Sequence, residues 1–274
     1  NGFLGVKDVN VVILYPSKKV SDIQEKQITS LGQNISALEV QGTFDDCQAM
    51  VKNAFLDKDI TKSIQLTSAN SINVARWLPQ MFYFFFAYKK LYKTHKDIVF
   101  SVPSGNFGNV CAGMMAQQLG LPVKHFIAAN NDNNVVTKYL KTQLYTPVKS
   151  VQTISNAMDV GDPSNFIRIQ EIYKNKFDSL QKNLSSYSFN NTQTRKAMLD
   201  IYTKHGYVAD PHGAVGYLGC KAYLEKNTRA HCVFLETAHP TKFLDVVEDV
   251  VKIKQTLPKQ IQAVIANKKV ATTI

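Results

Sequence analysis

The chain has 274 residues, of which 45% are hydrophobic, and a formal net charge of +11. That supports one large α/β domain or two smaller ones and excludes wholesale disorder. No apolar run approaches the roughly 20 residues of a membrane helix, and the start, NGFLGVKDVN, lacks a basic segment followed by an apolar one, so neither a membrane span nor a secretory signal is read.

VNVVILYPS (9–17) is a continuous β-rich run suited to a strand buried on both faces. SDIQEKQITSLG follows as a helix, with Ser21 and Gln24 spaced as a capping box and Gly32 as its stop. ISALEV predicts a second strand, and TFDDCQAMVKNAF a second helix opened by Thr43 with Asp46 three residues on. SIQLTSANS (63–71) predicts a third strand with a polar exit. INVARWLPQMFYFFFAYKKLYKTH predicts a long, buried aromatic helix with Pro79 near its first turns. DIVFSVPS predicts a fourth strand, a helix over 110–119 comes next, and VKHFIAAN predicts a fifth strand. From Asn130 to Gln193 the alternation weakens, and TISNAMDVGDPSNF (153–166) is an irregular polar connection of the kind that often carries function. Helices are predicted over 166–177, 192–205 and 211–225. A buried strand, HCVFLET, ends at Thr237, and HPTKFLDVVEDVV reads as a helix with Pro240 in its first turn.

This alternation is the mark of an α/β fold with doubly wound, mostly parallel sheets. Ligands in such sheets bind beyond the carboxyl ends of strands, which directs attention to 15–17, 67–73, 104–109 and 128–134. Cys47, Cys111, Cys220 and Cys232 are scattered without zinc-ligand spacing, which fits a reducing, cytoplasmic compartment. Asp159 and Asp162 have no metal spacing either, so no metal is expected. The lysines occur as dispersed pairs such as Lys18-Lys19, Lys89-Lys90 and Lys268-Lys269. They read as a solvated surface, or as a field that draws in an anionic small molecule, rather than as a nucleic-acid footprint.

PSGNFGN (103–109) crosses from a strand into a helix. A helix N-terminus offers unpaired N–H groups to an oxyanion, and glycines at 105 and 108 would let it approach. The stretch is neither GxGxxG nor GxxxxGK[ST], so neither a dinucleotide nor a nucleoside triphosphate is indicated. An anion cradle and a tight turn both remain open on pattern alone. In SANSINVAR, Asn70, Ser71 and Asn73 lie at a helix start with Arg76 one turn in; the readings are an anion pocket or an N-cap beside a surface arginine. LETAHP places Thr237 at a strand exit with His239 after it. His239 and His212 read either as acid–base groups or as structural capping partners.

Together, SANSIN with Arg76, SVPSGNFGN, SNAMDVGDPSN, DPHGAVGY and TAHPTKF resemble the threonine synthases of bacterial and fungal type, from about Val9 to Val250. VVILYP, QEKQITSLG and GTFDDCQAMV fit the same family. The resemblance implies a fold-type II pyridoxal-phosphate enzyme, related to the tryptophan synthase β subunit. It implies that Gly105, Asn106, Phe107, Gly108 and Asn109 hold the phosphate of pyridoxal 5'-phosphate and that Thr237 faces its pyridine nitrogen. Asn70, Ser71 and Arg76 would bind a small-molecule substrate, O-phospho-L-homoserine, which would be converted with water to L-threonine and phosphate in threonine biosynthesis.

In that family the Schiff-base lysine sits in a Phe-Lys-Asp motif followed by a Ser/Thr-Gly-Asp-Thr-Gly loop, and neither is in this sequence; Val6-Lys7-Asp8 precedes a strand and is a decoy. Together with a start at Asn1 rather than Met, this predicts a C-terminal part of such a lyase with its N-terminal part missing, inactive by itself and with no catalytic residue of its own. The expected division is 1–75 as the remainder of a smaller α/β domain and 76–274 as a larger one with the phosphate loop. A monomer or homodimer is expected, with no nucleic-acid or membrane partner. The alternatives are a related fold-type II lyase, such as a threonine or serine dehydratase or an amino-alcohol phosphate lyase, and a non-catalytic phosphate-binding protein.

Overall fold

The structure, a computed structural model, describes residues 2–274. The chain opens with β1 (Val11–Pro16), α1 (Asp22–Thr29), β2 (Ile35–Val40), α2 (Phe44–Leu56) and α3 (Lys58–Ser63). It continues through α4 (Trp77–Leu91), β3 (Ile98–Pro103), α5 (Gly108–Gln118), β4 (His125–Asn130), α6 (Val135–Thr142), α7 (Phe166–Ile172), α8 (Phe177–Asn183) and β5 (Leu184–Ser188). Next come α9 (Asn191–His205), α10 (Pro211–Leu224) and β6 (His231–Phe234), and the chain closes with α11 (Leu244–Val251), α12 (Lys259–Ile265) and β7 (Thr272–Thr273).

These elements form two compact units, one of residues up to Leu66 together with His239–Ile274, the other Thr67–Ala238. The expected division at 75/76 thus differs from the observed one. The first unit reclaims the last 36 residues because β7 pairs with β2 and so completes the sheet β1-β2-β7. The second unit holds the sheet β5-β4-β3-β6. Every strand pair is parallel, as the alternating sequence predicts.

Local signals set several boundaries. Both expected capping boxes form: Ser21 with Gln24 opens α1, and Thr43 with Asp46 opens α2. Other expectations fail, among them the buried strand to Thr237, since β6 stops at Phe234 and is half-buried along its length. SIQLTSANS forms no strand: Ser63 ends α3, and the segment after it has no strand partner among the described residues. The first strand is not buried on both faces, since Val12 is 57% exposed. The aromatic helix α4 buries only Trp77, Met81 and Phe84, leaving Phe82, Tyr83 and Phe86 exposed.

In the second unit β3 and β4 are buried along their whole length, and strand alternation sorts their side chains between two helical layers. Phe100, Val102, Phe126 and Ala128 join the core with Phe84 of α4 and Val110 and Met114 of α5. Phe84 meets Phe100 edge-on at 5.1 Å between ring centroids. Ser101, Ile127 and Ala129 face α10, which lies so close that a Cβ on Gly219 would sit 2.5 Å from Ser101 Oγ. Helices therefore cover both faces.

Candidate active site

The stretch 103–109 leaves the end of β3, one of the two central strands. Asn130 fixes the exit: its Nδ2 donates to Ser104 O at 2.6 Å, and Ser104 N donates to Ala129 O at 2.9 Å. Phe107 then takes a left-handed conformation, φ 63°, and α5 begins at Gly108. A phenylalanine there costs about 1–2 kcal/mol, offset by burial and an edge-on contact with Phe166 at 5.9 Å.

The glycines do something other than expected. A Cβ on Gly105 would stand 2.6 Å from Met158 Cα, and one on Gly108 would stand 2.7 Å from Ser71 Cβ. The space they leave is filled by protein, so they allow neighbouring loops to close on this turn. Asn106 holds those loops: Nδ2 donates to Ser71 Oγ at 2.9 Å, and Oδ1 accepts from Ser164 N at 2.7 Å and Ser164 Oγ at 3.0 Å. Its main-chain carbonyl accepts from Asn165 Nδ2 at 2.9 Å. The Asn106 side chain is thus a hub for protein contacts rather than a spare donor.

What remains for a ligand is the backbone. Among the described residues, the N–H groups of Gly105, Phe107, Gly108 and Asn109 meet no acceptor. They cluster at the positive end of an 11-residue helix. Beside them Asn109 Oδ1 is buried with no partner; turned end for end, that amide would present its nitrogen instead. Free donors with an orphaned amide suit a phosphate group.

Sequence reasoning missed the group that orders the Ser71 side of the turn. Arg168 Nη1 donates to Ser71 O at 3.2 Å and Asn165 Oδ1 at 2.8 Å, and Nη2 donates to Ile72 O at 2.6 Å. The guanidinium lies over the Trp77 ring, 5.4 Å from its centroid. No motif marks it, because its Ser71 and Ile72 partners are nearly 100 residues away and are main-chain oxygens. Arg76, the arginine expected here, is exposed on a 3-10 turn. Asn70 is also exposed, and its Oδ1 accepts from Ser71 N at 2.6 Å.

The irregular connection 153–166 is pinned from within. Asp159 Oδ1 accepts from Thr153 Oγ1, Asn131 Nδ2 and Asn133 Nδ2 at 2.7–3.1 Å, and Oδ2 accepts from Thr153 N at 2.9 Å. Burial pushes the Asp159 carboxyl up to about 6, against the lowering effect of the Thr153 and Asn131 hydrogen bonds. His212 reaches the same connection, its Nε2 accepting from Ala157 N at 3.2 Å.

Thr237 is exposed just past β6. Val233 and Leu235, on the way to it, pack against the core shared with α4 and α5. His239 caps the next turn of the first unit, its Nδ1 accepting from Thr241 N at 3.2 Å.

The family model described as "Pyridoxal-phosphate dependent enzyme" matches residues 5–237. The chain belongs to the pyridoxal-phosphate dependent enzyme family. A second model, "Threonine synthase, C-terminal", matches residues 213–274. The chain is 44% identical to the threonine synthase of Buchnera aphidicola subsp. Acyrthosiphon pisum over 264 residues, covering 96% of this chain and 60% of that protein. It superposes on a crystal structure of threonine synthase from Escherichia coli with a TM-score of 0.95 and 40% identity, covering 99% of this chain and 63% of the other. For a pyridoxal-phosphate-bound threonine synthase from Brucella melitensis the values are 0.85 and 32%, with 99% and 64% covered. The architecture is that of the fold-type II branch, and the chain spans about 60% of the length of the curated relatives it matches. The five motifs read from the sequence lie within the residues that the two family models match.

Proposed function

We propose that this chain carries the cofactor-phosphate and substrate-phosphate sites of a threonine synthase, the lyase that converts O-phospho-L-homoserine and water to L-threonine and phosphate. The observation that supports it most is the set of free N–H groups at the start of α5, held beside Ser71 by Asn106. These donors, the N–H groups of Gly105, Phe107, Gly108 and Asn109, would take the phosphate of pyridoxal 5'-phosphate. Once bound, that cofactor supplies the electron sink for chemistry at the substrate's carbon acids. The Thr237 hydroxyl would stand opposite the pyridine nitrogen, where a neutral partner leaves that nitrogen largely unprotonated. Asn70, Ser71 and Arg76 would bind the substrate phosphate, a role that suits an exposed amide, a half-buried hydroxyl and a forked cation. In the net reaction the Cγ–O bond breaks and phosphate leaves, one Cβ–H bond breaks, the water hydroxyl joins Cβ, and of the two protons released one is placed on Cγ and the other leaves with phosphate. Four free cysteines favour a reducing compartment, and we place the enzyme in the cytoplasm.

The test joins this chain to the part of a threonine synthase that it does not span. The joined protein should turn yellow with pyridoxal phosphate and release phosphate and threonine in equal amounts. A keto acid in place of threonine would point to a dehydratase, and phosphate binding with neither colour nor turnover to a non-catalytic protein; either result overturns the proposal. In the joined protein Arg76→Ala should keep the colour and weaken substrate binding by about 2–4 kcal/mol.

A further inference from the structure

Helix α10 rests on the sheet through Gly213, Gly216 and Gly219. A Cβ on Gly216 would meet Pro103 Cγ and Phe234 Cβ at 3.3–3.4 Å, and one on Gly213 would fall on the carboxylate of Glu236. Phe234 and Glu236, two residues apart, thus both face α10, while Leu235 takes the other side.

The first turn of α10 is built on another carboxylate. Asp210, fully buried, caps the helix: its Oδ1 accepts from His212 N at 2.8 Å and lies 2.6 Å from His212 Nδ1. Because His212 Nε2 accepts from Ala157 N, the ring proton sits on Nδ1 and is given to Asp210. Asp210 Oδ2 is buried and meets no N–H or hydroxyl donor. The carboxylate of Glu236, on which a Cβ at Gly213 of that same turn would fall, is the acidic group set against Asp210. Two adjacent carboxylates do not both ionise readily, so one proton serves the pair. Desolvation of its carboxyl against the helix, then the neighbouring Asp210, push Glu236 above the usual carboxylate range although the residue as a whole is exposed. Burial alone would raise Asp210 too, but the hydrogen bonds from the His212 ring and main chain bring it below its ordinary value. The proton therefore rests on Glu236.

We propose that Glu236 is a positioning residue whose carboxyl shares a proton with the buried, otherwise unpartnered Asp210 Oδ2 and so latches the strand exit bearing Thr237 to the first turn of α10. The latch keeps negative charge off the residue next to Thr237; only that last consequence rests on the function proposed above. The titratable groups around the latch are Asp210 and His212 of the α10 start and Tyr207 of the segment before it. A proton held longer in the folded than in the unfolded chain makes stability fall as pH rises, from about 4.3 up to the folded-state value of Glu236.

Carboxyl-carbon NMR titration of this chain tests the idea without cofactor, with Glu236 assigned by through-bond correlation and checked by the signal lost in Glu236→Gln. Glu236 should remain protonated at pH ~7, when most glutamates have titrated near 4.3. Glu236→Gln keeps a donor toward Asp210. At equal pH above the latch's titration, the Leu235 amide, bonded to Ser101 O, should exchange at least ~10-fold faster in the unsubstituted chain than in this variant. Titration of Glu236 with the other glutamates, or equal Leu235 exchange at every pH, would overturn the proposal. The latch can hold while the joined enzyme stays colourless, and the reverse, so the two failures are distinguishable.

Discussion

Arg168 illustrates how one side chain organises a site it does not advertise. Its planar fork bonds two main-chain carbonyls, those of Ser71 and Ile72, and the Asn165 amide, while its face covers Trp77. Charge-assisted bonds of this kind contribute about 1.5–3 kcal/mol each when buried, and less where solvent reaches them. Arg168→Ala should lower stability by about 2–4 kcal/mol in urea unfolding, and Arg168→Lys should recover little, because an ammonium cannot span both carbonyls. A loss below ~0.5 kcal/mol, the range of an ordinary surface substitution, would remove Arg168 from this role. Gly105 and Gly108 were legible as special positions, but not why. The sequence suggested room for an oxyanion, whereas Met158 and Ser71 occupy the space.

Among the elements, α4 shows where composition misleads. Its aromatic run reads as buried all round, yet it seats three side chains in the core and leaves Phe82, Tyr83 and Phe86 in contact with solvent. A helix presents one face to the sheet beneath it, and residue type alone does not choose that face. Phe84 is fully buried between Phe100 and Phe126. Phe84→Ala should cost about 3–5 kcal/mol, while Phe86→Ala, at a residue 65% exposed, should stay within ~0.5 kcal/mol; comparable losses in thermal unfolding would contradict this assignment of the helix face. The caps were read more securely, since Ser21 with Gln24 and Thr43 with Asp46 act within four residues and need no tertiary partner.

For the whole molecule, the division into units depends on the last residues of the chain. Ile274 N donates to Glu39 O and Gln41 N to Ile274 O, so the tail borders β2. Lys269 adds ion pairs with Glu25 and Glu39 at 2.7 and 2.9 Å. Deleting residues 268–274 should leave β2 an open edge and speed amide exchange at Gln41 by at least ~10-fold, with the β3 and β4 amides unchanged. Unchanged exchange at Gln41 would show that the tail does not hold that edge.

By itself the sequence determined what local chemistry and regular patterning encode: alternating parallel βα units, two capping boxes, a strand-to-helix crossing at 103–109, and a motif series that resembles threonine synthases. The sequence offered 9–17 as the strand buried on both faces, whereas burial along the whole length belongs to β3 and β4. Tertiary structure alone decided the rest. It returned the tail to the first unit, left 64–71 without strand partners, turned Asn106 toward protein rather than ligand, and brought Glu236 to Asp210 across 26 positions. Each of these depends on contacts between residues far apart in the chain, which no window of sequence contains.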